Sequence, residues 1–234
     1  MHWQAAWFDG AIHPLRMAAW RGVESQYLAS TMRLVDSPAE QDQLEQLLEA
    51  SKPPAPRTAQ PLHYLLTTPF RYHPPHASRF RPAHAQGQWY GAEQLQAACA
   101  EVAYWRHRFL LDSAGLAAQE LLTEHSFFQA EVQGAAIDLT AQPWVQARAQ
   151  WTHGSDYTET QAVAAAAQAQ GALWLRYESV RAPGQWCAVV FDPQALSEPR
   201  PGGLDRSMQR WHCKTTRERV MFSCGRTQRY AWDF

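Results

Sequence analysis

The chain has 234 residues, 46% hydrophobic content and a formal net charge of -1, enough apolar material for a sizeable core in one domain with an appendage. Near-neutral charge without a basic stripe speaks against a nucleic-acid binder, and no run of about 18 apolar residues is present to span a membrane. The N-terminus, Met1-His2-Trp3-Gln4, lacks the basic and apolar regions of a secretory signal, so the expected location is cytoplasmic.

Taken in chain order, residues 14–33 place Pro14, Met17, Trp20, Val23, Tyr27 and Leu28 at helical spacing and predict a helix. Ser37-Pro38-Ala39-Glu40 is a capping box that opens a second helix through Leu44, Leu47 and Leu48. The prolines of Ser51-Lys52-Pro53-Pro54-Ala55-Pro56 end it, because proline lacks the amide donor a helix needs. This divides the chain into a helical N-terminal extension at 1–60, a main domain at 61–197 and a C-terminal extension at 198–234. The apolar face of the extension, with Trp20, Tyr27 and Leu44, is expected to pack on the core or on a second protomer, which leaves a homo-oligomer open. Residues 62–71 suggest an extended entry into the sheet, and His73-Pro74-Pro75-His76 a stiff turn.

After the strand end Trp89-Tyr90-Gly91-Ala92, a helix is predicted from Ala92 or Glu93 to about Arg108, with Glu101 on a stripe of small and aromatic residues. A strand over 127–139 follows, then an Ala-rich helix over 157–170 stopped by Gly171. Two buried strands, 172–175 and 186–191, flank a polar turn, and Arg219 to Phe234 suggests a hairpin around Cys224-Gly225-Arg226.

A lone glutamate on a helix is ordinarily solvated, but Glu101 has company. Tyr90 lies eleven positions upstream, and Arg79 and Arg81 precede it. A guanidinium for phosphate, an aromatic face for stacking and a carboxylate for ribose hydroxyls or developing positive charge are what a dinucleotide ligand requires. Ser179, in Tyr177-Glu178-Ser179-Val180-Arg181, reads locally as a turn former. No Gly-x-Ser-x-Gly, GxGxxG, GxxxxGK[ST] or HExxH motif occurs, so the usual hydrolase, Rossmann, P-loop and zinc-protease readings fall away. Cys99, Cys187, Cys213 and Cys224 lack CxxC spacing, which fits reduced thiols, and no metal is expected. The histidines are expected in turns and at the surface, and most of the 11 tryptophans in the core.

Ser78-Arg79-Phe80, Trp89-Tyr90-Gly91-Ala92, Cys99-Ala100-Glu101-Val102 and Tyr177-Glu178-Ser179-Val180-Arg181 together resemble the RES-domain family, over about residues 62–197. The resemblance implies an α+β fold akin to ADP-ribosyltransferases, a twisted, split β-sheet flanked by helices, with the N-terminal helical extension beside it. It also implies NAD as substrate rather than cofactor, inorganic phosphate as a potential co-substrate, and a toxin held in check by an Xre-type antitoxin. Carried over, Glu101 is the catalytic acid and Ser179 orients it or the ligand. Tyr90 stacks, and Arg79, with Arg71 or Arg81, holds the pyrophosphate. Arg81 competes with Arg79 for the family arginine, and Arg181 is a further substrate-binding residue. The reaction implied is cleavage of the nicotinamide N-glycosidic bond by phosphorolysis or hydrolysis. Transfer of ADP-ribose to a protein and a non-catalytic interaction module are the alternatives.

Overall fold

The computed structural model describes residues 3–25, 31–56, 58–116 and 118–234. Its centre is β3 (Leu121–Asp138), an 18-residue strand that begins six residues before the predicted one and borders four others along its length. One edge pairs antiparallel with β1 (His13–Glu24). Along the other edge lie β7 (Gln209–Thr215), the short β6 (Leu196–Ser197) and, in parallel, β4 (Trp174–Glu178). β4 continues to β5 (Trp186–Val190), β5 to β2 (Trp89–Ala92), and β2 returns to β1 at Trp20 and Ala92. The pairing therefore closes on itself through β1, β2, β5, β4 and β3, while β7, β8 (Arg219–Cys224) and β9 (Gln228–Asp233) extend from the start of β3 as an antiparallel wing.

The first correction concerns the helix predicted over 14–33: the chain from His13 to Glu24 is a strand instead. Met17 and Ala19 face one core cluster with Phe70, Trp89, Val132 and Val190, and Trp20 packs against the other. A strand with apolar contacts on both faces has no alternation to betray it. Gly22 confirms the tight fit: a Cβ there would lie 2.4 Å from the Phe127 ring. Tyr27 and Leu28 lie outside the described residues.

The second predicted helix is present as α1 (Pro38–Ser51). Ser37 Oγ accepts from the Glu40 amide at 3.3 Å, and the Glu40 carboxylate accepts from the Asp36 amide at 2.7 Å. Residues 64–71, expected to be extended, form two helical turns, Tyr64–Thr67 and Thr68–Arg71, the first capped by His63 Nδ1 accepting from the Leu65 amide at 3.2 Å. With β1 inside the sheet and β7 bonded to β3, the segments before 61 and after 197 complete the same sheet as the middle of the chain.

On the Trp20 face, α2 (Leu95–Asp112) buries Ala97, Ala98, Cys99, Ala100 and Ala103. Side chains this small let the helix lie close to the sheet. α3 (Thr158–Ala169) uses Val163, Ala164 and Ala167 in the same way and ends at Gly171, whose φ is +89°. Trp89, Trp144, Trp151, Trp174 and Trp211 are fully buried, each removing a large apolar surface from water. No helix among the described residues is long and apolar enough to cross a membrane.

Candidate active site

Where β1, β2 and α2 meet, a cavity of about 460 Å³ opens, walled by Trp20, Tyr90, Val102, Trp105 and Tyr157. α2 delivers Glu101 to it. The turn after β4 delivers Ser179 from behind: its Oγ donates to Glu101 Oε1 at 2.7 Å. The same oxygen accepts from the Arg181 and Ala182 amides at 3.2 and 3.0 Å, and the Ser179 amide donates to the Gln185 carbonyl at 2.8 Å. Ser179 is only 1% exposed, with its proton committed to the carboxylate. It is placed to orient Glu101, and its hydroxyl is not free to attack a substrate. Oε2 of Glu101 makes no hydrogen bond to the described residues.

Tyr90 contributes its ring to the wall. Its hydroxyl donates to Gln88 Oε1 at 2.9 Å, shares a hydrogen bond of 2.9 Å with Ser78 Oγ and accepts from the Phe80 amide at 3.3 Å. Burial pushes this phenol up to about 12, so it stays neutral. Cys187 also lines the cavity. Burial, and then the charge of Glu101, push its thiol well above the usual range, which keeps it protonated and unreactive.

Four guanidiniums face the cavity: Arg21, Arg79, Arg106 and Arg181. Arg79 Nη1 donates to the carbonyls of Trp151 and His153 at 3.1 and 2.8 Å, and its guanidinium lies 5.0 Å from the Tyr157 ring centre. Arg181 lies 3.4 Å over the Tyr104 ring and donates to the Gly154 carbonyl at 2.9 Å. Arg21 reaches in from β1, donating to the Tyr90 carbonyl at 2.8 Å above Trp89. Burial lowers its guanidinium to about 10, which still leaves it charged at neutral pH. Among the described residues, Arg106 is the one of the four paired with a carboxylate, Glu24, at 2.6 Å. With Glu24 and Glu101 as the lining carboxylates, the wall holds a cationic excess, which suits an anionic ligand.

Arg71 and Arg81 are corrected by position. Arg71 holds α1, donating to the Pro53 carbonyl at 2.6 Å and to Glu49 at 3.1 Å. Arg81 is buried within its own loop, where its guanidinium donates to the carbonyls of Pro74, His76, Pro82 and Ala85. Its donors are spent on backbone, so Arg79 is the arginine of that stretch that faces the cavity. Arg21, Glu24, Arg106 and His125 are cavity residues that the sequence reading missed. For Glu24 the signal was available: reading 15, 17 and 19 as one strand face puts Trp20, Gly22 and Glu24 on the other, whereas Arg21 falls on the face of Met17 and Ala19, over Trp89, and alternation alone does not bring it to the cavity. His125 departs from the expected surface placement of histidines; it is 2% exposed, and burial lowers its imidazole to about 4.

No curated protein matches the chain. Among solved structures, a chain from the crystal structure of the M. tuberculosis MbcT-MbcA toxin-antitoxin complex is similar at a TM-score of 0.47 and 14% identity, covering 89% of this chain and 90% of that one. The family model described as RES domain matches residues 54–216, more than two-thirds of the chain and a span that runs from the proline break through β7. The chain belongs to the RES-domain family.

Proposed function

We propose that this protein consumes NAD, breaking the bond between nicotinamide and its ribose and passing ADP-ribose to phosphate or water. The observation that carries the reading is the 2.7 Å hydrogen bond from Ser179 to Glu101, which fixes a carboxylate at the wall of an aromatic, cation-rich cavity. As the glycosidic bond breaks, its electron pair leaves with nicotinamide, and the ribose acquires oxocarbenium character. Glu101 Oε2 accepts from a ribose hydroxyl and stabilises the positive charge, while Ser179 holds Oε1 still. Arg21, Arg79 and Arg181 bind the pyrophosphate, and Tyr90 and Trp105 give the rings apolar faces. An oriented charge at such a centre lowers the barrier by about 3 to 4 kcal/mol.

The test is release of nicotinamide from NAD with and without inorganic phosphate. Glu101→Gln keeps the shape and an acceptor for Ser179, and is expected to lower turnover by about 10² to 10³-fold with the melting temperature unchanged. Full activity of Glu101→Gln, or no turnover by the folded native chain in either condition, overturns the reading. Labelled NAD added to a lysate distinguishes transfer to protein, which leaves a modified band. The family membership also brings an Xre-type antitoxin as the proposed protein partner, to be sought in the adjacent gene and tested by co-purification.

A further inference from the structure

The cavity that holds Glu101 has a neighbour to which the proposed chemistry assigns nothing. It encloses about 640 Å³ on the side of the sheet where Val23, Leu65 and Met208 pack on the core cluster of Met17 and Ala19. Arg21, Glu24, Ser78 and Tyr90 line both cavities. The two meet there because β1 and β2 register only at Trp20 and Ala92, and beyond that pair the Tyr90 carbonyl accepts from the Arg21 side chain at 2.8 Å. The sheet is split at this point, and Arg21 stands in the split.

The ionic groups of the second cavity are partly committed elsewhere. Glu24 is paired with Arg106, and Arg81 is occupied by the carbonyls of its own loop. Arg21, Arg210 and Glu124 have no ion pair among the described residues, so two guanidiniums stand against one carboxylate. Tyr64 and Tyr72 give the wall aromatic rings that are 65% and 37% exposed. Ser25 and Ser126, whose hydroxyls share a hydrogen bond of 3.0 Å, add polar groups.

We infer that this second cavity receives the adenosine half of a dinucleotide whose nicotinamide ribose lies against Glu101, with Arg21 on the pyrophosphate between them. The ligand's identity rests on the proposed cleavage of NAD, whereas the site rests on two cavities and the cation they share. A dinucleotide is two nucleosides joined by an anionic bridge, and each part has a place here. Largely apolar walls with a few polar groups lie on either side, and a guanidinium with one hydrogen bond among the described residues stands at the join. A purine needs a face on which to stack, which Tyr64 and Tyr72 supply.

Isothermal titration with AMP, which carries the adenosine half and no nicotinamide bond, tests the site without turnover. The native chain should bind AMP with a Kd of about 1 mM or tighter. Tyr64→Ala/Tyr72→Ala should weaken this about 5- to 100-fold through lost stacking. Ser126→Phe, which fills the cavity, should weaken it at least about tenfold. Both tyrosines reach the surface, so circular dichroism and melting should not change in that variant, and it decides the matter if Ser126→Phe fails to fold. Glu101→Gln, altered in the first cavity, should bind AMP as the native chain does. In turnover, kcat/KM for NAD should exceed that for nicotinamide mononucleotide by at least about tenfold, and the wall variants should shrink that ratio. No AMP binding by the folded native chain at about 10 mM, or binding that the wall variants leave unchanged, overturns the adenosine site even where nicotinamide is released from NAD. Equal kcat/KM for the two substrates does the same. AMP binding that the wall variants abolish, with no turnover of NAD, keeps this site and overturns the proposed cleavage instead.

Discussion

Two arginines in this molecule, Arg21 on β1 and Arg81 in the loop before β2, are drawn away from bulk water and end up in opposite situations. Arg81 spends its guanidinium on four carbonyls of the loop that contains it, closing residues 74–85 around one charge. Arg21 makes one hydrogen bond among the described residues, to the Tyr90 carbonyl, and borders the cavity that holds Glu101. The comparison teaches that burial alone does not mark a binding residue; the account of donors does. A guanidinium has five N–H groups, and those left unpaired beside a cavity are available to a ligand.

Removing Arg81 should produce the larger effect of the two, and on stability. Arg81→Ala leaves several loop carbonyls without a donor, at about 1 to 3 kcal/mol for each one that water fails to reach. A loss of about 4 kcal/mol in chemical denaturation is expected, together with disorder of the turn that presents Arg79. Near-native stability of Arg81→Ala would erase the distinction drawn between the two arginines.

The charge on the Arg21 side can also be probed through pH. His125 borders the same cavity; burial first, and then the Arg106 charge, lower its imidazole to about 4. An unfolded imidazole titrates near 6.5, so below that pH the unfolded chain binds a proton that the folded chain refuses. The contribution is intact above pH 6.5 and is lost as pH falls toward 4, reaching about 3 kcal/mol at the lower end. Urea denaturation at pH 7.5 and pH 5 should show this slope in the native chain and a flatter one in His125→Gln. Equal slopes would place the proton elsewhere.

Arg21→Gln is the direct counterpart of Arg81→Ala. It removes a half-buried charge that no carboxylate among the described residues compensates, so stability should change little. The proposed pyrophosphate contact is charge-assisted, worth about 1.5 to 3 kcal/mol, and its loss should raise KM for NAD by about 10 to 100-fold with a smaller change in kcat. Unfolding of Arg21→Gln, or an unchanged KM, breaks the comparison.

The sequence disclosed these regions unequally, and the reason is physical. Glu101 stood out because it follows a run of small buried side chains on α2, Ala97, Ala98, Cys99 and Ala100, where a carboxylate is out of character. Ser37 announced α1 because a cap is a local interaction. β1 was misread because Met17, Trp20 and Val23 fall at helical intervals while the strand is apolar on both faces, so its pairing with β2 and β3 decided the structure. Arg21 went unread along with its strand. Arg81 was read as a ligand because counting guanidiniums does not show the carbonyls that occupy them, and Arg71 entered only through the family resemblance, which does not show its bonds to Pro53 and Glu49.

The smallest expected effect is at Ser179, and it separates a positioning role from a reacting one. Its oxygen accepts from two turn amides while its proton goes to Glu101, so Ser179→Ala removes a local cap and one restraint on the carboxylate. Loss of the cap should cost about 1 to 2 kcal/mol of stability. Loss of the restraint should lower kcat by about tenfold, one neutral-to-charged hydrogen bond, with KM for NAD nearly constant. Ser179→Thr restores the hydroxyl and should recover part of both. If Ser179→Ala instead matched Glu101→Gln in kcat, the hydroxyl would have to act on the substrate itself, although its 1% exposure and committed proton leave it no path to do so.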